Sequence, residues 1–226
     1  MNQTIKPAAP GCNLRDLTGR GRIFRSDALT GLGPEARTRV DGLGLRTVVD
    51  LRHDRERREF PCDLATAPGV DYRPIDLTGG ISFEAIRDLG DLYVALLKEA
   101  APRLSEAVRL VMGSEGPALF HCAAGKDRTG VVALLILGLL GADEATIEAD
   151  YLATGPAIVP ILPFLRAGLN VEQLGPGALG FLDTKPEFIR AALDTIRGFG
   201  GFEAYARTQM GWTDADIADL RHRQGK

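Results

Sequence analysis

The sequence predicts an α/β fold: a central, mainly parallel sheet flanked by helices. Three observations carry that expectation. Short β-branched runs alternate with longer helical patterns, as in chains whose parallel strands are joined by crossover helices. One such run, "PALFHC", leads through a charged, glycine-bearing loop into the apolar stretch "RTGVVALLILGLL". The chain also has 226 residues, 45% hydrophobic and 25% charged, enough to bury one substantial core.

Taken in order, strands are expected at 22–25, 47–51, 71–75 and 118–121. Before the last of these, Phe83, Ile86, Leu89, Tyr93, Leu96 and Leu97 recur at helical spacing. One long helix or two consecutive ones should cover the sheet there, with Pro102 as a break or first-turn residue. The helix after the charged loop should stop at Gly141, and "DEATIEADYLAT" should form the next, capped by Asp143.

Residues 155–182 are apolar but punctuated by glycine and proline. They read either as an irregular connection packed on the core or as a hydrophobic lid over a site. Residues 186–226 give three amphipathic helices as a C-terminal helical part. Nothing linker-like separates them, so 1–226 is expected to be a single domain.

Composition excludes several functions. A net charge of −3 argues against a nucleic-acid partner. Three widely spaced cysteines, Cys12, Cys62 and Cys122, do not make a disulfide framework and suit a reducing compartment. The amino terminus has no apolar core of signal-peptide length, so the cytoplasm is expected, with leaderless secretion left open. The apolar run from Val131 to Leu140 is well short of the roughly 20 residues that span a bilayer. "AIVPILPFL" (157–165) lacks the basic polar face of a membrane-surface helix, which argues against membrane association.

The chemistry concentrates at "HCAAGKDRTG" (121–130). With Cys122 ending a strand and Arg128 opening a helix, the amides from Ala123 to Asp127 converge at a helix amino end, which attracts an anion. The same field stabilises a thiolate. Arg128, six residues after Cys122, can grip two phosphate oxygens with its planar fork. Small Ala123, Ala124 and Gly125 let backbone approach the anion closely.

Rival chemistries fit less well. Zinc would want several ligands at short spacing, and only His121 adjoins Cys122. A Ser-His-Asp apparatus has only His53, His121 and His222 to draw on. A nucleotide-binding loop lacks its first glycine. A merely structural Cys122 would leave Lys126, Asp127 and Arg128 unexplained.

"HCAAGKDRTG" resembles the H-C-x-x-G-x-x-R-[ST]-G signature of the cysteine-dependent protein tyrosine phosphatase superfamily. Its Lys-Asp is similar to the bacterial branch typified by mycobacterial PtpB and listerial LipA. "NLRDL" (13–17), "RIFRSDAL" (22–29), "VVDLRHDRE" (48–56), "ADYLAT" (149–154) and the C-terminal "FGGFEAYARTQMGWTDADIADLR" extend the likeness over most of the chain.

The resemblance implies a protein tyrosine phosphatase-like fold and two-step phosphomonoester hydrolysis through a phosphocysteine on Cys122. Arg128 and the loop amides would hold the phosphoryl oxygens. Thr129 is similar to the hydroxyl that helps the thiolate leave, and His121 to the residue that orders the loop. No metal or other cofactor is implied. The substrate would be a phosphorylated protein, carrying phosphotyrosine and, with wider specificity, phosphoserine or phosphothreonine, or a phosphoinositide, and the product inorganic phosphate. A non-catalytic phosphate-binding module is the alternative, disfavoured because Cys122, Asp127 and Arg128 are all present.

The general acid has two candidates. In the PtpB-like branch it maps to Asp127; Asp76, ending the "YRPID" run, is the other, since carboxyl ends of parallel strands converge on α/β sites. Asp88 and Asp91 fall inside the helical pattern and should face solvent. Lys126 reads as extra charge for multiply phosphorylated ligands or as a solvated loop lysine. "RHDRERRE" (52–59) reads as an exposed helix face. Asn13, Arg15, Asp16, Asp50 and Arg52 match family positions and are expected to brace the loop. Cys12 and Cys62 read as spare thiols, or else as partners for an oxidised Cys122.

Overall fold

The computed structural model describes residues 11–168 and 182–225, with backbone alone for 162–168. Its sheet has five strands: β1 (Arg15–Asp16), β2 (Ile23–Ser26), β3 (Thr47–Asp50), β4 (Asp71–Pro74) and β5 (Ala118–His121). Four lie within a residue of their expected positions. The two-residue β1 carries no periodic signal and forms an antiparallel edge on β2. The order is β1-β2-β5-β3-β4, and β2, β5, β3 and β4 are parallel. The expected mainly parallel α/β architecture is therefore present.

Strand register explains where the chemistry sits. Phe24, Leu119, Val48 and Tyr72 align across the sheet and pack on the face covered by α1 (Pro34–Asp41). Val49 and Phe120 align one residue later and point to the opposite face, because successive strand side chains alternate. That second face carries the larger core. At the carboxyl end Ser26, His121 and Asp50 stand side by side, and the chain then steps to Cys122 on the larger-core face.

The larger core is built by α3 (Leu89–Glu99), α4 (Ala101–Met112) and α5 (Asp127–Leu139). It also takes in α6 (Glu144–Leu152), α8 (Pro186–Gly198), α9 (Phe202–Thr208) and α10 (Asp214–Arg223). The helix pattern before β5 resolves into two helices, with Pro102 in the first turn of α4, where its missing N–H has no intrahelical partner to lose. That pattern begins later than the apolar spacing suggests. Asp88 accepts from Asp91 N and caps α3, so Phe83 and Ile86 precede the helix, and Phe83 is exposed. Asp91 pairs with Arg87 at the surface.

Helix α5 is buried along nearly its whole length. Gly138 in its last turn leaves room for the Phe202 ring, which occupies the place a Cβ would take. Gly141 follows with φ +79°, which suits the residue that stops a helix. Asp143 caps α6 as expected. Trp212, before α10, donates to Ser105 Oγ on α4 (2.7 Å) and lies under the Arg109 guanidinium, tying the C-terminal helices to the core.

Residues 155–168 form a helix, α7 (Gly155–Gly168), rather than an irregular connection. Its Ala157, Ile158 and Ile161 cluster with Ala124, Ala123 and Leu182, so its first turns lie against the charged loop. The rest of the expected lid, 169–181, lies outside the described residues. Among the described residues no helix is long and apolar enough to cross a membrane.

Candidate active site

The loop after β5 is shaped from behind. Every peptide bond described is trans, so each carbonyl points opposite to the next residue's N–H. The carbonyl of Cys122 faces His121 Nδ1 (3.1 Å), and that of Ala123 accepts from Ala28 N (3.0 Å). Asn13 Nδ2 donates to the carbonyls of Ala124 (2.9 Å) and Gly125 (3.1 Å), and Arg25 Nη2 donates to Gly125 as well (2.7 Å). Four consecutive carbonyls are thus drawn to the back, and the N–H groups of residues 123–126 face the opening. Amides so arranged form a nest of a shape suited to an anion.

Gly125 is required by this path. Its φ is +66°, and a Cβ there would stand 2.6 Å from the Ser26 carbonyl carbon and 2.7 Å from Asp27 N. No side chain fits without moving the loop off β2.

The frame behind the loop is polar and buried. Asp27 accepts from Asn13 N and Gly11 N (both 2.9 Å), holding the turn before β1 against the site. Arg15 bonds Asn13 Oδ1 and pairs with Asp150 (2.9 Å), and Asp150 also pairs with the fully buried Arg25. On the other sheet face Asp50 holds Arg52 (2.7 Å) and accepts from Tyr72 Oη (2.7 Å). Burial raises the Asp50 carboxyl, but His121, Arg52 and Tyr72 outweigh it and keep the group well below its usual range. Burial lowers the His121 imidazolium although Asp50 opposes this, so the ring is neutral near pH 7, and Nδ1 carries the proton it offers Cys122 O.

Asn13 therefore braces the loop directly, and Arg15 does so through Asn13, as expected. Asp16 does not: its carboxylate accepts from Thr18, Gly19 and Gly21 N and closes the β1–β2 turn. A short acidic side chain before glycines favours its own turn over a distant partner.

Cys122 is buried at the start of the nest. Arg25 and Arg128 both lie close enough to interact electrostatically with its sulfur. Arg128, in the first turn of α5, makes a two-bond fork with Glu56: Nη1 to Oε2 (2.5 Å) and Nη2 to Oε1 (2.9 Å). Burial opposes the charges of both partners, and their mutual attraction more than restores them, raising Arg128 and lowering Glu56. An end-on fork engages two of the five guanidinium N–H groups, so the Nε edge can still face an anion.

Glu56 is the site residue that sequence reasoning missed. The run 52–59 is an exposed face only in part. Arg52 is buried against Asp50, and Glu56 in α2 (Asp54–Glu59) reaches Arg128 while also accepting from His53 N (2.9 Å). The signal was present as a capping pattern, His53 followed three residues later by a glutamate.

Lys126 is buried rather than solvated: its Nζ donates to the Asp183 carbonyl (3.0 Å) and lies 3.6 Å from Asp127 Oδ1. Thr129 is fully buried, and its Oγ1 has no hydrogen-bond partner among the described residues. Asp127 opens α5, and Tyr93 Oη donates to its Oδ1 (2.6 Å). Asp76 follows β4 at the same end of the sheet. Its Oδ1 accepts from Thr78 N, Thr78 Oγ1 and Gly79 N, and its Oδ2 lies 3.7 Å from His53 Nε2.

The other two cysteines are unpaired thiols. Burial pushes both up to about 11, with Asp27 adding to the effect on Cys12, so each stays protonated and weakly nucleophilic near neutrality.

The chain is similar to known proteins over nearly its whole length. A model described as the tyrosine phosphatase family matches residues 8–224. A tyrosine-protein phosphatase of Nostoc commune is 32% identical over 245 residues, covering 98% of this chain and 82% of that protein. The triple specificity protein phosphatase PtpB of Mycobacterium tuberculosis is 30% identical over 253 residues, covering 89% of this chain and 90% of PtpB.

Proposed function

This chain belongs to the tyrosine phosphatase family and is a protein-tyrosine phosphatase, and from that premise we propose how its residues divide the work. Cys122 attacks phosphorus as the thiolate; an S–P bond forms while the bond to the leaving oxygen breaks. The N–H groups of residues 123–126 and Arg128 hold the three remaining oxygens. Asp127 gives its proton to the leaving oxygen. In the second step Asp127 takes a proton from water, the water oxygen attacks phosphorus, and the thiolate leaves with help from Thr129 Oγ1, releasing inorganic phosphate.

The observation that carries this reading is the turning of four carbonyls away from the opening, which leaves the amides to receive an anion beside Cys122. His121 supports that geometry from the strand. Asp127 is preferred to Asp76 as the acid because it leads into Arg128, whereas one oxygen of Asp76 is bound within its own turn.

Phosphotyrosine is proposed as the leading substrate, ahead of phosphoserine, phosphothreonine and phosphoinositides. The triple specificity in PtpB's name keeps the others within reach. Lys126, the cation that would meet a multiply phosphorylated headgroup, is engaged by the Asp183 carbonyl. The whole chain is read as one phosphatase unit, with the first turns of α7 as a cover on Ala123 and Ala124.

The test is a substrate panel of phosphotyrosine peptides, phosphoserine peptides and phosphoinositide vesicles, run with wild type and Cys122→Ser. Phosphotyrosine turnover should collapse in the variant while vanadate or phosphate still binds. Turnover by the serine variant near the wild-type rate would overturn the covalent mechanism.

A further inference from the structure

The Asp127 carboxylate is held from inside the core. Tyr93, on α3, is fully buried and reaches Asp127 Oδ1 at 2.6 Å. Tyr151, on α6, is equally buried and meets Tyr93 Oη at 2.9 Å, its ring edge-on to that of Tyr93. Two buried hydroxyls in an apolar region are costly unless each is bonded, so their pairing calls for a reason.

Hydrogen counting fixes the direction of the chain. An ionised carboxylate only accepts, so Tyr93 spends its single proton on Asp127, and Tyr151 must then donate to Tyr93. Burial, reinforced by Asp127, raises the Tyr93 hydroxyl well above its usual range, so it remains a donor throughout the working pH range. The charged groups around the pair are Asp127 and Lys126 at the loop, Arg25 from β2 and Glu187 from α8.

We propose that Tyr93, backed by Tyr151, is a positioning residue for the general acid: it fixes Asp127 Oδ1 so that Oδ2 carries the transferred proton. The inference rests on Asp127 being that acid. While Asp127 is protonated on Oδ2, Tyr93 donates to a neutral carbonyl-type oxygen. As the proton passes to the leaving oxygen, the same bond becomes charge-assisted and strengthens. It therefore stabilises the product of proton transfer more than the reactant, which is the condition for accelerating that step.

The experiment compares Tyr93→Phe, Tyr151→Phe and Asp127→Asn with wild type on two aryl phosphates. One has a poor leaving group, phenol, and the other an activated leaving group, a dinitrophenol, which needs no proton. Tyr93→Phe should lower kcat for phenyl phosphate on the order of 10-fold and leave the activated ester within about 2-fold. It should add nothing to Asp127→Asn in the double variant. Equal loss on both esters, or no loss on either, would overturn the proposal while leaving Asp127 as the acid. If Asp127→Asn itself shows no leaving-group selectivity, the acid assignment fails first, and the proposal with it. Should Tyr93→Phe fail to fold by circular dichroism, Tyr151→Phe decides. It keeps the Tyr93–Asp127 bond and removes the donor behind it, so a selective loss of about 3-fold is expected; an unselective loss or none overturns the proposal.

Discussion

The loops that follow β4 and β5 leave the sheet at the same end, and each carries an aspartate about three-quarters covered: the Asp76 side chain is 24% exposed and that of Asp127 is 23%. Exposure does not tell them apart. Their attachments do. Asp76 accepts three bonds from Thr78 and Gly79, two and three residues on in its own chain, the arrangement of a polar turn. Asp127 is bound by a tyrosine 34 residues away that is itself bound by another 58 residues further on. A carboxyl held by its own turn goes where the turn goes. One held by the core keeps a fixed place relative to Cys122, which the proposed role as general acid requires.

The sharpest test of that contrast is a pair of isosteric substitutions. Asp127→Asn still accepts from Tyr93 but has no proton to give. Turnover of phenyl phosphate should fall by about 10²–10³-fold, with a much smaller loss on an activated ester. Asp76→Asn keeps the acceptor for Thr78 N and Gly79 N, and both esters should stay within about 3-fold. Steady-state kinetics on the two esters decides, and a reversal of the pattern would move the acid to Asp76.

How much of this was legible follows the same division between local and distant. The four parallel strands were found within a residue because β-branched runs announce themselves locally, whereas the two-residue β1 is too short to carry such a signal; the Cys122 loop stood out because its residues are contiguous. Tyr93 counted as one more apolar position on a helix, and nothing in the periodicity could show its hydroxyl meeting a loop 34 residues on. Lys126 read either as extra charge for a multiply phosphorylated ligand or as a solvated lysine, because its partner, the Asp183 carbonyl, lies far along the chain. Glu56 sat in a run of alternating charge, where only its spacing from His53 set it apart. Phe83 and Ile86 kept the helical period without being helical, because Asp88 caps α3 after them. Sequence reveals pattern within an element; partners between elements appear only once the chain is folded.

A second test disturbs the path on which Asp127 rides. Gly125→Ala places a Cβ against the backbone of Ser26 and Asp27 at a φ of +66°, so the loop must shift away from β2. A displacement near 1 Å should cost about 10²-fold in kcat/KM on both esters alike. The loss is unselective because the nest and Arg128 move together with Asp127. Vanadate affinity should fall in parallel, which a defect confined to Asp127 would not cause. Retention of full activity would mean that the loop relaxes in place.

The smallest effect comes from the helix that joins the two loops. His53 lies beside Asp76, and Glu56 accepts from His53 N while gripping Arg128, so α2 links the turn after β4 to the nest after β5. Glu56→Gln removes the charge and keeps the shape. With Arg128 less firmly aimed, kcat/KM should fall on the order of 10-fold, short of the cost of displacing the whole loop. Stability should respond with a definite sign. Attraction to Arg128 holds the folded-state Glu56 carboxyl below its ordinary 4.5, so the folded protein binds fewer protons there than the unfolded chain. Its contribution is then fully present above pH 4.5 and is lost as pH falls through the lowered value. Denaturant titrations should find wild type more stable than Glu56→Gln by about 1–3 kcal/mol at pH 7, the range for a bond between charged groups that are partly covered. That gap should close progressively in acid. A gap unchanged down to pH 3 would show that the carboxylate–guanidinium pair is not its source, and the two loops would then have to be treated as independent.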